Sequence, residues 1–105
     1  VARFDVYRNS GHQAADVPYL LDVQADVLSG LDTRVVVPLR RRSRFPASIV
    51  PANLMPMVTV EGDECLLETP KLAAVPVRIL KAPVTSLAAC RLEITQALDF
   101  LFQGF

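Results

Sequence analysis

The eight prolines of this 105-residue chain all fall at or before position 83, whereas Leu87 to Phe102 runs without proline or glycine. Proline fixes φ and removes a backbone donor, so the first part of the chain is confined to short, interrupted pieces. The last part is free to be one helix. Thr85 or Ser86 supplies an N-cap, and Gly104 stands where a helix closes. Leu87, Arg91, Ile94, Leu98, Leu101 and Phe105 recur at three- and four-residue steps, overlapped by a stripe of Cys90, Ile94, Ala97 and Leu101. A helix apolar over so much of its girth does not hide all of it in a small domain.

The interrupted part reads as strands. Arg3 to Arg8 alternates, with Phe4 and Val6 on one face and Asp5 and Tyr7 on the other. Asn9 to Gln13 is polar and turn-rich. Tyr19 to Gln24 is a second strand, with Leu21 and Val23 opposite Leu20, Asp22 and Gln24. Ser29 to Thr33 is a turn. Arg34-Val35-Val36-Val37-Pro38-Leu39 is a β-branched third strand, in which Pro38 marks an edge or the end of pairing. Arg40 to Asn53, with four arginines and two prolines, reads as a long, partly exposed connection. Pro56–Val60 and Cys65–Thr69 form a hairpin around Glu61-Gly62-Asp63. Pro70 to Val75 is a helical turn or a bulged strand, and Val77 to Leu80 a further strand. The expected fold is mainly β, a compact, strongly bent barrel with one C-terminal α-helix, in a single domain over residues 1–105.

Several function classes are disfavoured. Eleven basic and eleven acidic residues cancel, so no global field draws the chain to nucleic acid or an anionic membrane. No apolar run is long enough to span a bilayer. The start, Val1-Ala2-Arg3-Phe4-Asp5, alternates like a strand rather than a signal peptide, and a cytoplasmic location is expected. Cys65 and Cys90 then read as free thiols. His12 is the sole histidine, in a loop, without ligands at metal spacing, so neither metal nor other cofactor is expected. There is no glycine-rich phosphate loop, and neither Gly-x-Ser-x-Gly nor a Cys–His signature.

Two polar groupings remain. Asp22, Gln24 and Asp26 would share a strand face, which reads as a solvated face running into a turn; a paired-carboxylate site is the alternative. Arg40, Arg41, Arg42 and Arg44 read as a solvated loop or a dock for an acidic partner segment, with phosphate contact as the alternative. Hydrophobic residues make up 51% of the chain. At this size that leaves apolar surface for a second copy or another protein. Binding rather than catalysis is therefore the expected mode of action.

Three collinear blocks carry a family resemblance. Leu21-Asp22-Val23-Gln24-Ala25-Asp26-Val27-Leu28 with Thr33-Arg34-Val35-Val36-Val37-Pro38-Leu39 resembles the N-terminal half of the CcdB toxins. Ala74-Val75-Pro76-Val77 resembles a second block. The run from Arg91 through Ile94 to Phe105 resembles the family's terminal helix and tail. The resemblance implies an SH3-like β-barrel with a small additional β-sheet and a long C-terminal helix. It implies a homodimer, the toxin of a type II toxin–antitoxin module, that binds the A subunit of DNA gyrase and traps the gyrase–DNA cleavage complex. A CcdA-like antitoxin is the implied second partner. Nucleic acid is contacted only within the toxin–antitoxin operator complex, and no membrane is involved.

Carried over position by position, the implied gyrase-binding residues are Val27, Leu28, Asp99, Phe102, Gln103, Gly104 and Phe105. The arginines at 40, 41, 42 and 44 are the candidate antitoxin contact. At Gln103 the family's better-known gyrase poisons carry tryptophan. Two alternatives follow: a CcdB-fold protein with weakened or lost gyrase poisoning that still binds its antitoxin, and a small ribonuclease-type toxin using the arginine run with Asp22 and Asp26.

Overall fold

In a computed structural model, residues 2–28, 30–45 and 51–104 are described. The expectations at Val1, Ser29, residues 46–50 and Phe105 lie outside them. Seven strands are followed by one helix: β1 (Asp5–Arg8), β2 (Tyr19–Asp22), β3 (Thr33–Arg41), β4 (Met57–Val60), β5 (Asp63–Leu67), β6 (Ala73–Pro76), β7 (Thr85–Ser86) and α1 (Arg91–Gln103). The strands hydrogen-bond in the order β4-β5-β3-β2-β1-β7, with β6 also on β3. The result is a nearly closed, barrel-like sheet with one C-terminal helix, as expected.

β3 organises this sheet. One edge pairs with β2 from Val36 to Leu39, while the other pairs first with β6 (Thr33–Val36) and then with β5 (Leu39–Arg41). Pro38 sits in the gap between those two partners. Its carbonyl accepts the Glu68 N–H at 2.9 Å, so its donorless nitrogen faces the same edge, where no ladder bond is required. Proline thus marks the end of one pairing, inside a nine-residue strand. The β4–β5 hairpin extends from the second half of β3 as a smaller sheet continuous with the barrel. Its two-residue loop is Glu61-Gly62, with φ of 51° and 84°, the positive pair that a type I′ turn requires.

The core inside the sheet includes Val6, Leu21, Val37, Leu39, Val60, Leu67, Ile94 and Ala97, all essentially inaccessible. The outer faces of β1 and β2 are covered too. Tyr7 packs with Val36 and Leu80, with Leu20 and Val75 against them. A half-buried β1 is therefore corrected to one buried on both faces.

Other boundaries shift for physical reasons. β1 begins at Asp5 rather than Arg3, because Phe4 adopts a left-handed φ of 73°. Such a conformation costs about 1–3 kcal/mol in a bulky residue. It is held by the Phe4 N–H donating to Asp22 O (2.7 Å) and by the Leu87 N–H donating to Phe4 O (2.8 Å). β2 ends at Asp22, not Gln24. Arg40 and Arg41 complete β3, and Arg42–Arg44 form a 3₁₀ turn, so this part of the expected connection is regular structure.

Thr69–Lys71 is a 3₁₀ turn, and the following strand is Ala73–Pro76 rather than Val77–Leu80. The Val77 N–H donates to Asp32 O at 2.8 Å, one residue before β3 begins. Beyond that point β3 offers no partner, so Val77–Ile79 coils into a 3₁₀ turn and Leu80 drops over Tyr7.

Helical structure begins with a 3₁₀ turn at Ala88–Cys90, and α1 proper at Arg91. Thr85 and Ser86 pair with Val6 and Asp5, so they form a strand before any cap. Ser86 accepts the Ala88 N–H on its hydroxyl at 3.2 Å, but Leu87 holds the cap position of that turn and Cys90 that of α1, and neither makes a side-chain cap bond. α1 buries Ile94 and Ala97 and half-buries Leu98 and Leu101, and Cys90 of the preceding turn is half-buried as well. Gly104 closes it at φ 81°, its N–H donating to Phe100 O at 2.9 Å.

Candidate functional site

Among the described residues, Val27, Leu28, Leu31, Met57, Ile79, Leu92 and Phe102 are exposed large apolar side chains, and those to which the resemblance assigns gyrase contact fall in two places. The first is the 3₁₀ turn Asp26–Leu28 between β2 and β3. Val27 is 88% exposed and Leu28 48%. The second is the end of α1, where Phe102 is 71% exposed beside the exposed Asp99, Gln103 and Gly104. An open depression of about 420 Å³, lined by Asn53, Gln96, Asp99, Phe100 and Gly104, adjoins this helix end. Phe105 lies outside the described residues.

The two places are held in different ways. At the helix end, Ile94 and Ala97 fix one side of α1 in the core, which turns Asp99 and Phe102 outward at helical spacing. The left-handed Gly104 then reverses the chain. The turn has little apolar anchoring of its own and is tied down by polar contacts instead. The Leu28 N–H donates to Ala25 O at 3.0 Å. Gln24 Nε2 donates to Leu28 O at 3.2 Å, and Gln24 Oε1 accepts the Val35 N–H at 3.1 Å. Asp26 Oδ1 accepts the Arg3 N–H at 2.7 Å.

Behind the turn lies a residue that sequence reasoning placed only in a valine-rich strand. Arg34 is 0% exposed, and its guanidinium grips the equally buried Asp22 through Nε–Oδ2 at 2.8 Å and Nη2–Oδ1 at 2.9 Å. Nη2 also donates to Gln24 O at 3.1 Å and lies 3.5 Å from Asp26 Oδ1. The Asp22 hydrogen bonds raise the Arg34 pKa above its ordinary value against the opposing effect of burial, so the group stays charged. The available signal is an arginine opening a β-branched run that is buried on both faces, Val36 under Tyr7 and Val37 in the core.

This arrangement corrects the reading of Asp22, Gln24 and Asp26. They form neither a solvated strand face nor a catalytic carboxylate pair. β2 stops at Asp22, which breaks the shared face, and Asp22 is sealed against Arg34 with no access for a substrate.

The arginine run is largely engaged within the chain. Arg40 Nε lies 3.1 Å from Glu68 Oε1, a charge contact without hydrogen-bond alignment. Arg41 donates to Asp63 Oδ2 at 2.9 Å and to Ala15 O at 3.1 Å, and Arg44 lies 3.6 Å from Asp16. Among the described residues, Arg42 alone of the four makes no ion pair. His12 is exposed in a turn, and no cluster of three or more His, Cys, Asp or Glu suited to a metal occurs among the described residues. Cys65 and Cys90 are both free thiols, and burial pushes the Cys65 pKa up. No helix is long and apolar enough to cross a membrane among the described residues.

Residues 3–104 match the family model described as CcdB protein. That span takes in the three resembling sequence blocks apart from the final Phe105, the buried Arg34 cluster, and Val27, Leu28 and Phe102. The chain belongs to the CcdB family, the gyrase-poison family of toxin–antitoxin toxins.

Proposed function

We propose that this protein is the toxin of a type II toxin–antitoxin pair, and that it binds the DNA gyrase A subunit and holds gyrase on cleaved DNA. The observation that carries this reading is the pair of uncovered apolar points, Val27–Leu28 and Phe102. They lie at the positions to which the family resemblance assigns gyrase contact. Buried anchors surrounded by polar residues dominate protein–protein affinity, and exposed Val27 and Phe102 flanked by Asp26, Asp99 and Gln103 have that character. The mode of action is binding rather than catalysis. The working form is a homodimer, the location is the cytoplasm where gyrase acts, and a CcdA-like antitoxin is the antagonist. Arg42 is the arginine of its run best placed to meet an acidic antitoxin segment.

Purified protein incubated with gyrase, ATP and supercoiled DNA should make protein-linked cleaved DNA accumulate. No cleavage at saturating protein would overturn the proposal. Replacing Val27, Leu28 and Phe102 together by alanine should abolish cleavage without unfolding the chain.

Gln103 supports a second reading, in which gyrase poisoning is weakened while antitoxin binding persists. Glutamine lacks the π face with which tryptophan gains about 0.5–2 kcal/mol against a cation. If Gln103→Trp creates cleavage where the natural chain gives none, this second reading holds. Equal cleavage by both discards it.

A further inference from the structure

The Asp26–Leu28 turn poses a physical problem. A three-residue 3₁₀ turn is weakly self-supporting, and its two apolar side chains face solvent instead of packing into the barrel. Its shape is therefore set by polar ties, and those ties converge on one buried cation. The Arg34 guanidinium holds Asp22 at the end of β2 and the Gln24 carbonyl just after it, and faces Asp26 on the turn. Arg34 sits in β3 opposite Val75 of β6, and Val36, two residues on, opposite Asp22 of β2. The backbone from which the guanidinium extends is thereby braced on two edges.

We propose that Arg34 is a positioning residue for the Val27–Leu28 pair: it clamps the turn to the sheet through Asp22, Gln24 and Asp26 and so presets the shape in which the pair meets its partner. A preset turn loses little conformational freedom on binding, so the clamp contributes to affinity without touching the partner. Insofar as the partner is gyrase, the inference rests on the proposed function; insofar as it concerns the turn, it does not.

The test separates the two. Asp22→Leu with Arg34→Met removes the clamp and leaves no unpaired buried charge, an exchange that folds tend to tolerate. Arg34→Lys keeps a cation beside Asp22 but loses the planar fork that reaches Asp22 and the Gln24 carbonyl together, and serves if the double variant fails to fold. In either variant the Leu28 amide should exchange with deuterium about tenfold faster or more, with Leu21 in β2 unchanged. Equal acceleration at both amides, or none at Leu28, overturns the proposal.

Affinity for the gyrase A subunit should fall in the same variants. It should fall no further when the clamp is removed from a chain already carrying Val27→Ala and Leu28→Ala. Fully additive losses would show that Arg34 acts on stability alone and would also overturn it. If the natural chain does not bind gyrase, the functional reading fails, and the exchange measurement alone decides the role of Arg34.

Discussion

At the scale of residues, Asp22 and Arg34 are a costly pair to disturb singly. Both are fully buried, and each is tolerable only because the other is present. Arg34→Ala should lower unfolding free energy by about 3–5 kcal/mol in urea titrations, because it strands a buried carboxylate. Asp22→Leu with Arg34→Met should recover most of that loss.

Three further groups set the alkaline limit. Burial raises the Tyr7 and Tyr19 phenols above their ordinary 10.0, Tyr19 with added help from its hydrogen bond to Glu61. Burial likewise raises Cys65 above 9.0. The unfolded chain releases these protons at the ordinary values while the folded chain retains them. Their stabilising contribution is therefore complete below about pH 9 and is lost as pH rises through the raised folded values. Thermal midpoints should hold from neutrality to that point and fall beyond it; a midpoint flat through pH 11, roughly one unit above the ordinary phenol value, would contradict the assignment.

At the scale of elements, the turn and the helix end are cheap to alter for stability, and under the proposed function costly for gyrase poisoning. Val27 and Leu28 bury little on folding. Val27→Ala with Leu28→Ala should change unfolding free energy by no more than about 0.5 kcal/mol per site. The same variant should lose gyrase poisoning in a DNA-cleavage assay. A large loss of stability would mean that the turn packs more tightly than its exposure indicates.

The sequence showed these elements unevenly. The helix stripe and the Gly104 stop were legible because both depend on contacts within one or two turns. Pro70 to Val75 reads as a helical turn or a bulged strand and holds the end of one and most of the other, whereas Val77–Leu80, with the stronger β propensity, is no strand. Pairing is decided by where β3 begins and ends, and β3 lies about 40 residues away. The exposed pair was reached through family resemblance. The clamp beneath it was not, since Asp22 and Arg34 lie on different strands and nothing local joins them.

At the scale of the whole molecule, the described residues leave Val27, Leu28, Leu31, Met57, Ile79, Leu92 and Phe102 open to solvent as large apolar groups. A chain of 11.5 kDa gains from covering some of them with a second copy. Sedimentation equilibrium at micromolar concentration should therefore return about twice the chain mass, with dissociation on dilution. A monomer at all concentrations would rule out the homodimer.

By itself, the sequence determined the features that a few neighbouring residues dictate. These are the hairpin around Glu61-Gly62-Asp63, the β-branched core of β3, the amphipathic α1 and its glycine stop. Only the tertiary structure decided that Asp22 and Arg34 meet, that β1 is buried on both faces, and that three of four arginines in the basic run have partners within the chain. Burial and ion pairing depend on which distant segments the curled sheet brings together, and one-dimensional periodicity carries no record of that.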